Sequence, residues 1–463
     1  MSTQVVTGQA ISAPDLGPWS NSNSSTRRNS VDIYTSGSGG RSVTEKRRLN
    51  NSNNNSQLEP GFYYYPGEKA GRSDNNAGGN VEAQAAVVDP NDPNRPRLPL
   101  RQRLHHFTWA WYTLSMSTGG LAVLIFAQPH QFKGLRTIGL VVYVINLLIF
   151  TVITVLLLTR FFLHPGDLTR SLMHQREGFF FPTFFLAIAT IITGTDRYLI
   201  PKNDVALVWA ISGAFWAYLA FTLILAVGQY SYVFASHSFG LQTMMPTWIL
   251  PIFPIMLSGT IASVIAETQP EIAATPIIVA GLTCQGLGLS VAFMMYAHMI
   301  GRLMQSGLPN REHRPGLFMC VGPPSFTALA LIGMANGLPV RSSATAEGTF
   351  LDVGVIKTVA LLCAIFLWAL SLWWFSIAAV AVIQSPPKYF HLGCWAMVFP
   401  NSGFTLATIA IGRALGSEPV LWVGTAMSIV IVMAYLIVLF FNVRAVVVQD
   451  IMYPNRDEDV EDH

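Results

Sequence analysis

Small polar side chains recur inside the long apolar stretches of this sequence, close to prolines or to a glycine pair. They are Ser115, Ser117, Thr118, Thr183, Thr190, Ser258, Thr260, Ser325, Thr327, Asn401, Ser402 and Thr405. Hydroxyls and amides of this kind, together with the N-termini of broken helices, can stabilise an anion or a neutral solute. No Asp or Glu lies in the middle of these stretches, whereas a cation path normally places one there. The pattern therefore favours an anion or a neutral solute.

A subset of these residues, with one glycine beside them, is our candidate set for lining a solute path. The candidates are Ser117, Thr118, Gly119, Thr183, Ser258, Ser325 and Asn401. The alternative for each hydroxyl is a bond to the carbonyl group one turn back, which is common for Ser and Thr inside helices.

Four ionisable residues stand at the ends of apolar stretches: His106, His298, Glu267 and Arg413. Anchoring at the membrane interface is a sufficient explanation for all four. Arg413 is the strongest functional candidate among them, because it ends a proline-broken stretch and could attract an anion to the outer mouth of a path.

The sequence has few features that are typical of an enzyme. It contains no HExxH, GxSxG or GxxxxGK pattern and no paired carboxylates on one helical face. His105 and His106 are adjacent, so their side chains diverge. The four cysteines are isolated within apolar runs, namely Cys284, Cys320, Cys363 and Cys394. We predict no catalytic residue, no metal site and no cofactor.

Composition places most of the chain in a membrane. Apolar residues make up 51% of the 463 residues and charged residues 11%, against about 25% charged in soluble domains. Of the 53 charged residues, only 25 lie among the 346 residues from 104 to 449. Such a segment needs lipid as its solvent. A net charge of +3 gives no basic field for a nucleic-acid partner.

Stretches without Asp, Glu, Lys or Arg locate the membrane crossings, because a charge at mid-bilayer costs about 2.5–3.5 kcal/mol. They cover 105–132, 137–159, 178–195, 205–266, 272–301, 315–340, 358–387, 389–412 and 419–443. The stretch 205–266 far exceeds the roughly 20 residues of one crossing and is interrupted near 236–238, so we expect ten crossings. Cytoplasmic termini put 13 Lys and Arg in inner segments against seven in outer ones, in agreement with the positive-inside rule.

Proline divides these crossings into two kinds. Odd-numbered crossings contain Pro182, Pro246, Pro251, Pro254, Pro323, Pro324 or Pro400, and the first contains Gly119-Gly120 instead. Even-numbered crossings lack interior proline, except that Pro276 stands at the start of the sixth. The odd crossings begin at intervals of 73, 67, 71 and 75 residues, which indicates a repeat of one broken and one straight helix.

The repeat predicts an all-α membrane protein with ten transmembrane helices as five hairpins in a quasi-five-fold ring. Lipid cannot satisfy the backbone groups that a broken helix exposes. We therefore expect the broken helices to surround a central pore and the straight helices to face lipid. The alternative is that the prolines only ease helix packing.

Several short motifs occur in one order along the chain. They are HFTWAW at 106–111, STGG at 117–120, WILPIFP at 248–254, QGLG at 285–288, RPGLFM at 314–319, VGPPSF at 321–326 and FPN at 399–401. This series resembles the fungal malic acid transport proteins of the tellurite-resistance/dicarboxylate transporter family, which is related to plant slow anion channels. The likeness covers about 100–459.

The resemblance implies ten helices around a central pore in a homotrimer. In relatives an aromatic residue of the ninth helix plugs the pore, and the matching residue here is Phe399. Pro400 follows it directly, so rotation at that proline could move the ring. The alternative for Phe399 is ordinary packing.

The resemblance also implies a plasma-membrane transporter or channel for malate and related C4-dicarboxylates. Its partners would be small carboxylate anions, protons and membrane lipids. Efflux of sulfite or another small inorganic anion is the alternative within transport. A receptor or scaffold without transport activity is the alternative of another class.

The chain divides into three parts by composition. Residues 1–100 are rich in Asn, Ser and Gly and are predicted to be a disordered cytoplasmic tail. Residues 101–446 form the ten-span transporter domain, and residues 447–463 form a short acidic cytoplasmic tail.

Overall fold

The computed structural model describes residues 97–201, 204–236, 240–339 and 352–454. These residues form helices and connecting turns without a β-strand. The α-helices are α1 Leu100–His105, α2 Tyr112–Phe126, α3 Leu135–Leu163, α4 Asp167–Met173, α5 Pro182–Tyr198, α6 Val205–Ser236, α7 Phe253–Ile265, α8 Glu271–Ser306, α9 Gly322–Asn336, α10 Val353–Gln384, α11 Phe399–Leu415 and α12 Glu418–Val448. The predicted tail of residues 1–100 lies almost entirely outside the described residues.

Ten of these helices alternate in length along the chain. The inner helices, as we call α2, α5, α7, α9 and α11, have 13 to 17 residues. The outer helices, α3, α6, α8, α10 and α12, have 29 to 36 residues. The stretch 205–266 does hold two helical segments, as predicted.

A 3₁₀ segment precedes every inner helix. These segments are Trp109–Trp111, Glu177–Phe180, Pro246–Ile252, Arg311–Val321 and Leu392–Met397. The α-helix then begins at residues 112, 182, 253, 322 and 399, at intervals of 70, 71, 69 and 77 residues. The predicted repeat is therefore present in the backbone itself.

Proline explains where the change from 3₁₀ to α-helix falls. Pro182 is the first residue of α5, and Pro254, Pro323 and Pro400 are the second residues of α7, α9 and α11. A proline in the first turn costs no hydrogen bond, since that amide has no partner within the helix. The predicted breaks are thus helix starts.

The first inner helix differs from the prediction. Its helix α2 runs without interruption through Gly119 and Gly120, so this pair does not break it. Both glycines instead permit close packing. A Cβ atom at Gly119 would come within 2.7 Å of Asn146 Nδ2, and one at Gly120 within 3.1 Å of Phe399 Cδ2.

Contacts among the inner helices close into a cycle. Helix α2 contacts α5, α5 contacts α7, α7 contacts α9, α9 contacts α11, and α11 contacts α2. Each outer helix packs against two inner helices that are neighbours in this cycle. Four inner segments bury 67–94% of their most apolar stretch, whereas the outer helices bury 17–39%.

The outer helices present large apolar side chains to their surroundings, such as Leu148, Phe221, Met294, Phe366 and Ile437. Among the described residues, nine helical segments are long and apolar enough to cross a membrane. Helix α2, with its 15 residues, is shorter than these. The protein is an all-α, multi-pass membrane protein, which confirms the predicted fold class.

The end of the described chain packs into this bundle. Ile451, Met452 and Tyr453 are buried, beyond the predicted domain boundary at residue 446. The side chain of Gln449 exchanges two hydrogen bonds with the backbone of Leu98, at 3.0 and 3.2 Å. The two ends of the described bundle are thereby joined.

Candidate functional site

A cavity of about 520 Å³ lies between the inner helices. All five of them line it, through residues such as Gly120, Thr190, Thr260, Phe326 and Phe399. A pocket of this size is in the range of small-molecule binding sites. Its walls are mainly apolar, with hydroxyl groups from α5, α7 and α11.

The lining residues recur at helical spacing. On α11 they include Phe399, Leu406 and Arg413, seven residues apart. Thr260 on α7 and Glu267, in the turn that follows α7, also line the cavity. Seven residues are nearly two turns, so such residues share one face of a helix. At 1.5 Å per residue, the 14 positions from Phe399 to Arg413 span about 21 Å. The cavity therefore follows the inner helices for much of the bilayer core.

Aromatic rings form one end of the cavity, which we call the floor. The rings of Phe326 and Phe399 are stacked with centroids 5.1 Å apart. Phe253 packs against both, at 6.0 and 6.3 Å. All three are buried, with Phe399 at 1% exposure. The floor is thus closed by rings from three adjacent inner helices.

Each ring of the floor lies against a glycine of the next inner helix in the cycle. Phe253 faces Gly322, Phe326 faces Gly403, and Phe399 faces Gly120. A Cβ atom at Gly403 would come within 2.6 Å of Phe326 Cε2. The rings can occupy the centre of the bundle because these positions carry no side chain.

Hydroxyl groups of the cavity wall are mostly committed to their own helices. Thr190, Thr193 and Ser402 each donate to the carbonyl of a residue three or four positions earlier, at 2.7–2.8 Å. Thr260 differs, since its buried Oγ1 makes no hydrogen bond within the described residues. This hydroxyl is therefore not used by a hydrogen bond to its own helix.

Charged side chains form the opposite end, which we call the mouth. Arg197 Nη1 pairs with Glu267 Oε2 at 3.1 Å. Arg413 Nη2 donates to the carbonyl of Ala127 at 2.6 Å, at the end of α2. These are the charged members of the cavity lining in the described residues. Two arginines and one glutamate give the mouth a net charge of +1, which attracts anions.

Of the predicted site residues, Phe399 and Arg413 line this cavity, at opposite ends. Several others bind neighbouring backbone or helices instead. Thr183 donates to the carbonyls of Phe180 and Trp109, at 2.6 and 3.0 Å. Thr118 lies 3.0 Å from the hydroxyl of Tyr435 on α12. Their part in a solute path stays a prediction.

The remaining candidates also lie outside the lining of this cavity. Ser325 donates to the carbonyl of Gly322 at 2.9 Å, and Asn401 Nδ2 donates to that of Met397 at 2.8 Å. The hydroxyls of Ser117 and Ser258 are buried and make no hydrogen bond within the described residues. Gly119 packs between α3 and α5, and Pro400 starts α11.

Sequence reasoning missed Phe326 in the floor and Arg197 in the mouth, and it assigned Glu267 only to anchoring. A signal for the mouth is present in the repeat. Glu267, Asn336 and Arg413 each stand 13 residues after the proline in the second position of their helix, and all three line the cavity. Aligning the repeats on these prolines would have grouped them.

One cluster outside the cavity contains three possible metal ligands. Atoms of His105, His164 and Asp167 lie within 4.8 Å of one another. However, the guanidinium of Arg160 lies 3.6 Å from the Asp167 oxygen that His105 contacts at 3.3 Å. This fixed positive charge opposes a metal cation. Burial also lowers the pKa of His105, more than the nearby Asp167 raises it.

The same arginine secures the start of α5. Arg160 Nη1 donates to Glu177 at 2.7 Å and to the carbonyl of Phe107 at 2.8 Å. Both partners of this ion pair are almost fully buried. The cluster therefore fixes the 3₁₀ segments before α2 and α5 to the end of α3.

Buried helices that enclose a cavity with a positive mouth, inside a sheath of lipid-facing helices, define a membrane transport protein. Comparison with known proteins identifies its family. Residues 106–443 match the model of the voltage-dependent anion channel family, and the chain belongs to this family.

The chain is similar to transport proteins of two kinds. The chain is 35% identical over 373 residues to a malic acid transport protein of Schizosaccharomyces pombe, covering 79% of this chain and 84% of that protein. It is 24% identical over 352 residues to a sulfite efflux pump of Trichophyton rubrum, covering 73% of this chain and 91% of that protein. The resemblance found from the motifs is confirmed, and the family consists of transport proteins rather than enzymes.

Proposed function

We propose that this protein carries malate and related C4-dicarboxylates across the plasma membrane, through the cavity between the inner helices. The observation that carries the proposal is a cavity lined by all five inner helices, positive at its mouth and closed by aromatic rings at its floor. The similarity to a malic acid transport protein supports malate as the substrate. In this proposal the five inner and the five outer helices cross the bilayer as a quasi-five-fold ring.

Phe399 is the gate in this proposal. Its ring lies at the floor and contacts Phe253 and Phe326, and its backbone starts α11 directly before Pro400. A ring at the junction between a 3₁₀ segment and an α-helix can move through rotation of few backbone angles. Its movement away from Gly120 would open the floor.

Among the described residues, the cavity wall carries no charge besides those of the mouth, which suits an anion of low charge. The path offers the mouth arginines, the free hydroxyl of Thr260 and an apolar wall. A small acid whose carboxyls titrate near pH ~4 can cross this wall most readily as a monoanion, since desolvating two charges costs more than desolvating one.

Topology and assembly follow from the same proposal. Both termini face the cytoplasm, as the distribution of Lys and Arg favours, so the mouth opens to the outside. The protein assembles as a homotrimer with one path in each protomer. Chemical crosslinking of the protein in its membrane should give trimers, and accessibility of a tag at either terminus should require permeabilised cells.

Uptake by vesicles tests the proposed substrate. Purified protein in vesicles should take up labelled malate faster than protein-free vesicles, and unlabelled succinate should compete. Sulfite flux without malate flux would support the second candidate, which the similarity to a sulfite efflux pump favours. Flux of neither anion would support a receptor or scaffold and would contradict transport.

A further inference from the structure

We infer that Arg197 and Arg413 form a two-arginine binding site for a dicarboxylate at the mouth, and that Glu267 is an internal carboxylate competing for Arg197. The inference rests on the proposed function, because it names how a C4-dicarboxylate is recognised by the same cavity. It assigns a binding role to Arg197 and a regulatory role to Glu267.

The ion pair at the mouth resembles a carboxylate bound to its site. Glu267 contacts Arg197 through one oxygen and one nitrogen, at 3.1 Å. The side chains are 41% and 25% exposed, so water reaches both. Exposed ion pairs of this kind contribute roughly 0–1 kcal/mol. A substrate carboxylate, which can bind the guanidinium through two parallel hydrogen bonds, can therefore replace Glu267.

Arg413 is held in position for the second carboxylate. Its Nη2 atom donates to the backbone carbonyls of Ala127 and Gln128, at 2.6 and 3.5 Å. Its hydrogen bonds to described residues all run through this nitrogen, so Nη1 and Nε remain for a ligand. Arg413 also lies close enough to Arg197 and Glu267 to interact electrostatically with both.

Thr260 adds a donor deeper in the same cavity. It stands on α7 seven residues before Glu267, which lies in the turn after that helix, and its hydroxyl is buried without a hydrogen-bond partner in the described residues. Seven residues correspond to about 10 Å along the helix. An anion released from the mouth would meet this hydroxyl on its way to the floor.

The charge of the mouth explains why the site would prefer a dicarboxylate. The three side chains together give the mouth +1, and the two arginines alone give +2, which matches a dianion once Glu267 leaves Arg197. A dianion should therefore displace Glu267 from Arg197 more readily than a monoanion does. Asp196 on α5, Asp204 before α6 and Glu271 on α8 do not line the cavity.

The test compares malate with a monocarboxylate in vesicles containing full-length protein. Arg197→Gln should raise the KM for malate about tenfold, the loss expected for one charge-assisted pair. The KM for butyrate, with one carboxyl group, should change much less. Arg136→Gln is the matched control, because Arg136 lies over the same Phe126 ring as Arg197, at 5.1 against 5.8 Å, without lining the cavity.

Glu267→Gln provides the second arm. It should lower the KM for malate at neutral pH, because the competing carboxylate is gone, whereas a purely structural ion pair would change stability alone. Equal shifts of KM for malate and butyrate in Arg197→Gln, or an unaltered KM for malate in Glu267→Gln, would overturn the inference. Wild-type protein without malate flux would instead contradict the proposed function.

Discussion

The two ends of the cavity are built from different chemistry. At the floor, three buried phenylalanine rings from α7, α9 and α11 pack against glycines of the neighbouring helices, without a charge among them. At the mouth, Arg197, Glu267 and Arg413 meet water and backbone carbonyls. The floor therefore opposes every solute by occupying space, whereas the mouth distinguishes solutes by charge.

This difference separates how fast the protein transports from what it transports. A ring that fills the path sets a barrier common to all anions. A cationic mouth raises the local concentration of anions and discriminates among them. Changes at the floor should thus act on flux of every substrate, and changes at the mouth on the ratio between substrates.

The largest effect is expected from opening the floor. Phe399→Ala should raise the flux of malate and of chloride at least tenfold, which corresponds to a barrier lower by about 1.4 kcal/mol. Patch recordings of vesicles would measure it. Phe404→Ala is the matched control: Phe404 is equally buried on α11, but its ring packs against Trp368 and Phe375 of α10.

Unchanged conductance in Phe399→Ala would show that the ring does not limit the path. A similar increase in Phe404→Ala would show that any large cavity in α11 makes the protein leaky. Either result would remove the contrast between the floor and the rest of α11.

A smaller effect is expected from crowding the floor. Gly403→Ala would place a Cβ atom 2.6 Å from the ring of Phe326, which must shift. Overpacking of this kind costs roughly 1–3 kcal/mol, so the melting temperature should fall and the flux should change. Gly286→Ala on α8 is the control, since a Cβ atom there meets nothing within 4 Å. Equal melting temperatures for the two variants would contradict the tight floor.

The sequence predicted the broken and straight helices well, because proline acts locally. Pro182, Pro254, Pro323 and Pro400 each mark the start of an inner helix. Their spacing revealed the repeat, and the repeat indicated which helices are inside. The burial of the inner helices and the exposure of the outer ones confirm this assignment.

The cavity wall was harder to predict, because inner helices are apolar or buried on every side. Ser117 and Ser258 are as buried as the wall residue Thr190, yet they lie outside the lining. Only the rotation of each helix about its axis decides which hydroxyl faces the cavity. That rotation is set by contacts between helices, such as Phe399 against Gly120, which follow from the assembled bundle.

The smallest effect on uptake is expected from removing the charge of Arg413. Arg413→Gln should reduce malate uptake about threefold at low salt and less at high salt, because salt screens attraction between exposed charges. Lys357→Gln, an equal loss of charge on the exposed part of α10, should leave uptake at both salt concentrations near that of the wild type. A reduction by Arg413→Gln that is independent of salt would exclude attraction as its role.

The most direct test of the central path uses Leu406, which lines the cavity between Phe399 and Arg413. In a variant without the four native cysteines, Leu406→Cys should react with a membrane-impermeant anionic thiol reagent, and malate should slow the reaction. The reaction should then abolish malate flux. The same modification of Leu436→Cys, on the outward face of α12, should leave malate flux unchanged. Undiminished malate flux after complete modification at position 406 would contradict a path through the centre of the inner helices.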